Sequence, residues 1–108
     1  MMNKYMLIFR GQDGVDTSDA ALKERISLHV NWIKKLGDQH IDSQRLEDSG
    51  THLISHDRVI TDGPFIEAKE IILGYTIIAA KNMDEAVFLT KTCPLLNYFE
   101  IMVRPVVS

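Results

Sequence analysis

The chain has 108 residues, of which 45% are hydrophobic and 25% are charged, and its formal net charge is −3. These values are typical of one globular domain, so we expect a single domain over residues 1–108. Lys and Arg are scattered rather than gathered into a basic stripe, which argues against nucleic-acid binding. No apolar run approaches the ~18 residues that a membrane span needs. The single cysteine, Cys93, allows no internal disulfide. We therefore expect a cytoplasmic protein without a signal peptide and without membrane contact.

The first third of the chain predicts a strand and a long helix. Tyr5–Phe9 is apolar throughout and predicts a strand buried on both faces. Thr17–Asp19 offers an N-cap and an acidic first turn, and Gly37 is placed to end the helix. Between these signals, residues at spacings of three and four predict one buried helix face: Leu22, Ile26, His29, Ile33 and Leu36.

The remaining elements are shorter. They follow in order as a strand at Gln44–Leu46, a hairpin with arms Thr51–Ser55 and Arg58–Ile60, a strand at Ile71–Ala80, a helix from Asn82 to Thr92, and a strand at Tyr98–Val106. Glu85 stands three residues after Asn82, which is typical of a capping box at a helix start. Pro105 predicts that the last strand ends at a sheet edge.

This order of elements predicts an α+β ferredoxin-like sandwich, with two helices on one face of an antiparallel sheet. Two helices can cover only one face of the sheet. Yet Tyr5–Phe9 and Ile71–Ile78 carry apolar residues on both alternating faces. We therefore expect the second face to pack against another copy of the chain, as a homodimer joined through its sheet faces.

The stretch from Thr61 to Tyr75 begins with a stiff turn, because glycine and proline both restrict the backbone there. It resembles the signature of the DGPF branch of the YCII-related family through Asp62-Gly63-Pro64-Phe65, Glu67, Lys69-Glu70 and Gly74-Tyr75. The resemblance extends over nearly the whole chain, through Lys4–Ile8, Asp84–Ala86, Cys93-Pro94 and Val103–Val106. It implies a dimeric α+β barrel in which two sheets pack face to face. The family is defined by its fold more than by any one reaction.

His29 is the first candidate catalytic residue. It stands on the apolar stripe of the first helix, and the ordinary pKa of histidine suits proton transfer near neutral pH. Some YCII-related members carry a histidine in this helix, paired with an aspartate from the loop before the long strand, and His29–Ile33 is similar to that segment. The resemblance implies an acid/base dyad in which Asp62 orients His29. Two plainer interpretations stay open: a core histidine bonded to a backbone carbonyl, and an aspartate that only forms a turn.

Three further residues are candidates for substrate binding. Arg104 could hold an anionic substrate, because its guanidinium pairs well with carboxylates, or it could be a solvated charge at the sheet edge. Tyr5 and Tyr75 could line a pocket, as could Trp32, but large aromatic residues in a small domain also belong to the core.

Neither a metal nor a cofactor is expected. His52 and His56 have a spacing that chelates zinc on a helix, but in a strand their side chains would stand about 13 Å apart. Cys93 has no CxxC partner and is interpreted as a small buried hydrophobic residue. The segment Gly11–Gly14 follows a strand but lacks the third glycine and the lysine of the phosphate-binding motifs.

Two functions remain open. The first is a cofactor-free enzyme that uses His29 and Asp62 for acid/base chemistry on a small cyclic or anionic molecule. Isomerisation of an unsaturated lactone, or elimination or hydrolysis of a halogenated aromatic compound, fits by analogy with related barrels. The second is a non-catalytic dimeric module that binds a ligand or a protein. For this module the resemblance implies a link to sigma-factor regulation, because some DGPF proteins are encoded beside extracytoplasmic-function sigma factors.

Overall fold

The computed structural model describes residues 2–11, 14–47, 50–60 and 72–108. Within these ranges, six strands and two α-helices are formed. They are β1 (Asn3–Arg10), α1 (Asp19–Leu36), β2 (His40–Arg45), β3 (His52–Leu53), β4 (Val59–Ile60), β5 (Ile72–Ala80), α2 (Met83–Lys91) and β6 (Glu100–Pro105).

The main sheet has four strands in the order β2-β5-β1-β6, and each neighbouring pair is antiparallel. The apolar strands β1 and β5 occupy its centre, where both edges of a strand are paired. Pro105 ends β6, an edge strand, as the missing N–H of proline predicts. This topology confirms the predicted α+β ferredoxin-like sandwich.

One face of the sheet is buried beneath both helices. Burial alternates along β1 and β5, so that every second side chain points into the core. Leu7 and Ile78 are fully buried there, and Trp32 of α1 and Ala86 of α2 belong to the same core. We call this side the helix face and the opposite side the open face. Met6 on the open face is half-buried.

Both helices begin and end as their local sequence predicts. The Ser18 hydroxyl accepts a hydrogen bond from the Ala21 N–H at 3.2 Å, and the Asn82 side chain accepts one from the Glu85 N–H at 2.9 Å. Gly37 ends α1 with a φ of 58°, a conformation that glycine adopts without strain.

The buried side of α1 is turned relative to the predicted stripe. Trp32 is 3% exposed, whereas Leu22, predicted to be buried, is 38% exposed. Trp32 can lie deep because its indole N–H donates to the Thr92 hydroxyl at 2.9 Å. The core interpretation of Trp32 is therefore confirmed, and His29 lies one turn away on the same side.

The edge strand β2 differs most from its prediction. We predicted Gln44–Leu46, but the strand begins at His40, directly after a 3₁₀ turn at Gly37–Gln39. Its polar sequence shows no apolar alternation, so the pattern of the sequence did not predict its first residues. The predicted hairpin is confirmed as the antiparallel pair β3 and β4, with shorter arms.

Candidate functional site

His29 lies on the helix face, where its ring contacts β1 and β5, the two central strands of the sheet. Its Nε2 is 3.3 Å from the hydroxyl oxygen of Thr76 on β5. The Phe9 ring meets the imidazole edge-on at a centroid distance of 5.6 Å, and Trp32 stacks on it at 6.0 Å. These contacts fix the plane of a half-buried ring. The bonded partner is a side-chain hydroxyl rather than the backbone carbonyl considered above.

A row of hydrogen bonds continues from Thr76 to the sheet edge. Ser43 of β2 stands opposite Thr76 in register, and their hydroxyl oxygens are 2.7 Å apart. His40 Nε2 lies 2.9 Å from the Ser43 hydroxyl. We call these four side chains the polar row: His29, Thr76, Ser43 and His40. Thr76 is fully buried, so its hydroxyl needs the partners that the row supplies.

A bulge in β2 makes the polar row possible. Residues three apart in a regular strand point to opposite faces. The register shifts between His40 and Asp42, so Ile41 is an extra residue relative to β5. His40 and Ser43 therefore reach the same face, as expected when a bulge re-aims a side chain.

The surroundings of His29 disfavour a charged ring. Burial lowers the pKa of His29 most, and the nearby charges of His40 and Arg45 lower that pKa further. Arg45 stands opposite Gly74, two residues after Ser43, and so lies on the helix face as well. At neutral pH His29 is therefore an uncharged imidazole, with one nitrogen able to accept a proton.

The predicted substrate-binding residues divide between the two faces. Tyr5 is 6% exposed in the core of the helix face. Tyr75 and Arg104 lie on the open face, opposite Ile8 and Met6 of β1 respectively. The Tyr75 hydroxyl donates to Asp42 Oδ2 at 3.1 Å, and this bond raises the pKa of Tyr75. Within one chain, only Tyr5 shares a face with His29.

Asp62 lies outside the described residues. Its pairing with His29 is a prediction that the described part of the chain leaves open. A bond from Asp62 would take up the second nitrogen of the His29 ring, because Thr76 already occupies Nε2.

Four residues near His29 were not singled out from the sequence: Thr76, Ser43, His40 and Arg45. One signal was present. Ser43 and Arg45 alternate along a strand that begins at a histidine, and Thr76 interrupts an apolar run. That signal has value only once β2 and β5 are known to pair.

Metal ligands and the single cysteine were the other candidates for chemistry. Among the described residues, no group of three His, Cys, Asp or Glu side chains could hold a metal ion. Cys93 is 3% exposed, and burial raises its pKa to about 11, so its thiolate is scarce near neutral pH. The interpretation of Cys93 as a small buried hydrophobic residue is confirmed.

Comparisons with known proteins identify one family. The family model of the YCII-related domain matches residues 6–108. A search of curated proteins gave no match. In the parts of the chain described above, no helix is long and apolar enough to cross a membrane.

Proposed function

The chain belongs to the YCII-related domain family, and we propose that it is a cofactor-free enzyme with His29 as its general acid/base. The observation that carries this proposal is the state of the His29 ring. Its Nε2 is held by Thr76, its plane is fixed by two aromatic rings, and its pKa is lowered. A fixed, neutral imidazole is ready to accept a proton at neutral pH.

Arg45 supports an anionic substrate. It is exposed at the end of β2, and its charge acts on His29. A guanidinium beside a general base can hold a substrate carboxylate while the base removes a neighbouring proton. On the helix face we therefore propose for Arg45 the role that the sequence predicted for Arg104. Tyr75 and Arg104 remain substrate-binding predictions for the open face, and Tyr5 remains one for the helix face.

The reaction class that fits is proton transfer within the substrate, as in an isomerisation or an elimination. Such a reaction needs a group that accepts and returns a proton but needs no covalent nucleophile. The thiol of Cys93 is held protonated by burial, and Thr76 is fully buried. Neither side chain is suited to attack a substrate.

Hydrogen exchange tests this proposal without a known substrate. Small carboxylates with an acidic C–H are incubated with the protein in D₂O, and NMR follows deuterium incorporation. We expect His29→Gln to slow exchange by roughly 10²–10⁴-fold, the usual contribution of a general base. The matched control is His52→Gln, on an exposed hairpin residue. Exchange that is equally fast in His29→Gln would rule out His29 as the base.

Arg45 has its own matched control. Arg45→Gln should raise KM for a reactive carboxylate about tenfold or more, because a charge-assisted hydrogen bond is lost. If the substrate binds beside His29, Arg104→Gln, which removes the same charge from the open face, leaves KM unchanged. The reverse pattern would assign the substrate to the open face.

Asp62→Asn decides whether the ring has a nitrogen free for substrate. An imidazole has two nitrogens, and Thr76 holds one of them. If Asp62 bonds the other, removing its charge lowers the pKa of His29 further, and no nitrogen remains for direct proton transfer. An unchanged pKa in Asp62→Asn leaves Nδ1 for the substrate.

The alternative is a non-catalytic homodimer that binds a ligand or a protein. The contacts of His29 with Phe9 and Trp32 favour this alternative, since a purely structural histidine makes such contacts too. In that case His29→Leu should raise stability and leave binding intact, because no polar ring remains to be desolvated. For both functions we propose a cytoplasmic location and association of two chains through their open faces; the link to sigma-factor regulation belongs to the binding module.

A further inference from the structure

The hydrogens of the polar row can be counted. The row has three gaps between polar atoms, of 3.3 Å, 2.7 Å and 2.9 Å. Each hydrogen bond needs one hydrogen between its two heavy atoms. The hydroxyls of Thr76 and Ser43 supply one hydrogen each. The third hydrogen must therefore come from the imidazole at one end of the row.

The number of hydrogens makes the tautomers of His29 and His40 depend on each other. If the Nε2 of one ring carries the third hydrogen, the Nε2 of the other ring must be bare and accept. With a hydrogen on both Nε2 atoms, one hydroxyl would have to turn out of the row. With a hydrogen on neither, the hydroxyl oxygens of Ser43 and Thr76 would face each other at 2.7 Å with none between them.

We propose that His29 and His40 are the two ends of a proton relay that runs through Thr76 and Ser43. Its use in catalysis rests on the proposed function of His29. Its existence does not, because the count of hydrogens depends only on the four side chains.

When His29 takes up one proton, each of the three hydrogens in the polar row passes to the next side chain. In the starting state, His29 Nε2–H donates to Thr76, Thr76 donates to Ser43, and Ser43 donates to His40 Nε2. The lone pair of His29 Nδ1 forms a bond to the substrate proton, and the substrate keeps the electron pair of the broken C–H bond. The Nε2 proton then passes to Thr76, the Thr76 proton to Ser43, and the Ser43 proton to His40.

The final state balances and places the charge at the sheet edge. His29 is neutral again with its hydrogen on Nδ1, each hydroxyl again has one hydrogen, and His40 is an imidazolium. His40 and Arg45 are the first and last residues of β2. The relay therefore puts the positive charge on His40, at the far end of the strand from Arg45, and removes it from the His29 ring, whose surroundings disfavour it.

Histidine tautomers test the relay directly. The protein is labelled with ¹⁵N-histidine and studied by NMR at a pH where both rings are neutral, with signals assigned through His29→Gln and His40→Gln. We expect the fractions of Nε2–H in the two rings to sum to about one, because the row holds one ring hydrogen. Two rings that both carry the Nε2 hydrogen throughout would overturn the relay.

Ser43→Ala cuts the row while leaving both histidines in place. We expect the two tautomer fractions to become independent of each other, so that their sum departs from one. Ser27→Ala, on an exposed serine of α1, is the matched control and should keep the wild-type sum. Thr76→Val removes the neighbouring hydroxyl but keeps a side chain of similar shape. It should make the two tautomer fractions independent in the same way. Unchanged fractions in both cut variants would refute the relay.

The relay and the proposed function fail separately. If the fractions are coupled but His29→Gln leaves hydrogen exchange intact, the relay stands and the enzyme proposal falls. If exchange depends on His29 while the fractions are uncoupled, the relay falls and His29 acts alone.

Discussion

Thr76 shows how a single hydroxyl defines the surroundings of His29. It is fully buried in an apolar strand and bonds to groups from two other elements. His29 could be singled out from the sequence, because a histidine on an apolar helix stripe is unusual. Thr76 could not, because threonine is an ordinary strand residue. Its partner on α1 lies 47 positions away in the chain, a contact that only the fold creates.

The lowered pKa of His29 predicts a loss of stability in acid. The pKa of His29 is lower in the folded state than in the unfolded state, so the unfolded state takes up its proton first as the pH falls. The free energy of unfolding therefore decreases as the pH drops from the ordinary histidine pKa towards the lowered pKa. We expect His29→Gln to lose less stability than wild type between about pH 7 and pH 5 in urea denaturation. His52→Gln should follow wild type. Parallel losses in wild type and His29→Gln would contradict the lowered pKa.

At the scale of elements, helix ends were easier to predict than the edge strand. Ser18, Asn82 and Gly37 act through bonds to residues within one turn, so their signals are local. The start of β2 depends instead on a bulge and on pairing with β5, more than 30 positions away along the chain. Its polar side chains are explained by the partners they meet on the helix face, and no local pattern carries that information.

Gly74 holds β2 against β5 beside the polar row. A Cβ at Gly74 would collide with the backbone carbonyl oxygen of Gln44. We expect Gly74→Ala to destabilise the protein by about 1–3 kcal/mol, because backbone atoms must move apart. Gly50→Ala is the matched control, since a Cβ there meets nothing within 4 Å. Thermal unfolding of the two variants measures the difference, and equal stability would contradict the close approach.

The two faces of the sheet have separate tasks in the whole molecule. The helix face contains the core and the polar row. The open face presents half-buried apolar side chains from both central strands, among them Met6, Ile8 and Ile77. The alternation of apolar residues predicted this division from the sequence. It could not assign Arg45 to the side of His29, because that side depends on the strand register.

The proposed dimer predicts a charge-sensitive open face. Ile77 stands opposite Met6 near the centre of that face. We expect wild type to show a dimer mass in light scattering at micromolar concentration, and Ile77→Lys to shift it towards the monomer, because a lysine from each chain would lose its water where the two faces meet. Val30→Lys, on the exposed side of α1, is the control and should stay dimeric. A monomer mass for wild type would contradict the proposed dimer.

The pKa of His29 shows whether this ring can act as a neutral general base. An NMR pH titration of the histidine ring signals, with His29 assigned by substitution, would be recorded for wild type, Arg45→Gln and Arg104→Gln. We expect His29 to titrate below the ordinary histidine value in wild type. Its pKa should rise in Arg45→Gln, because a nearby positive charge is removed, and stay constant in Arg104→Gln. A His29 that titrates above the ordinary value, or whose pKa ignores Arg45, would contradict a neutral general base on this face.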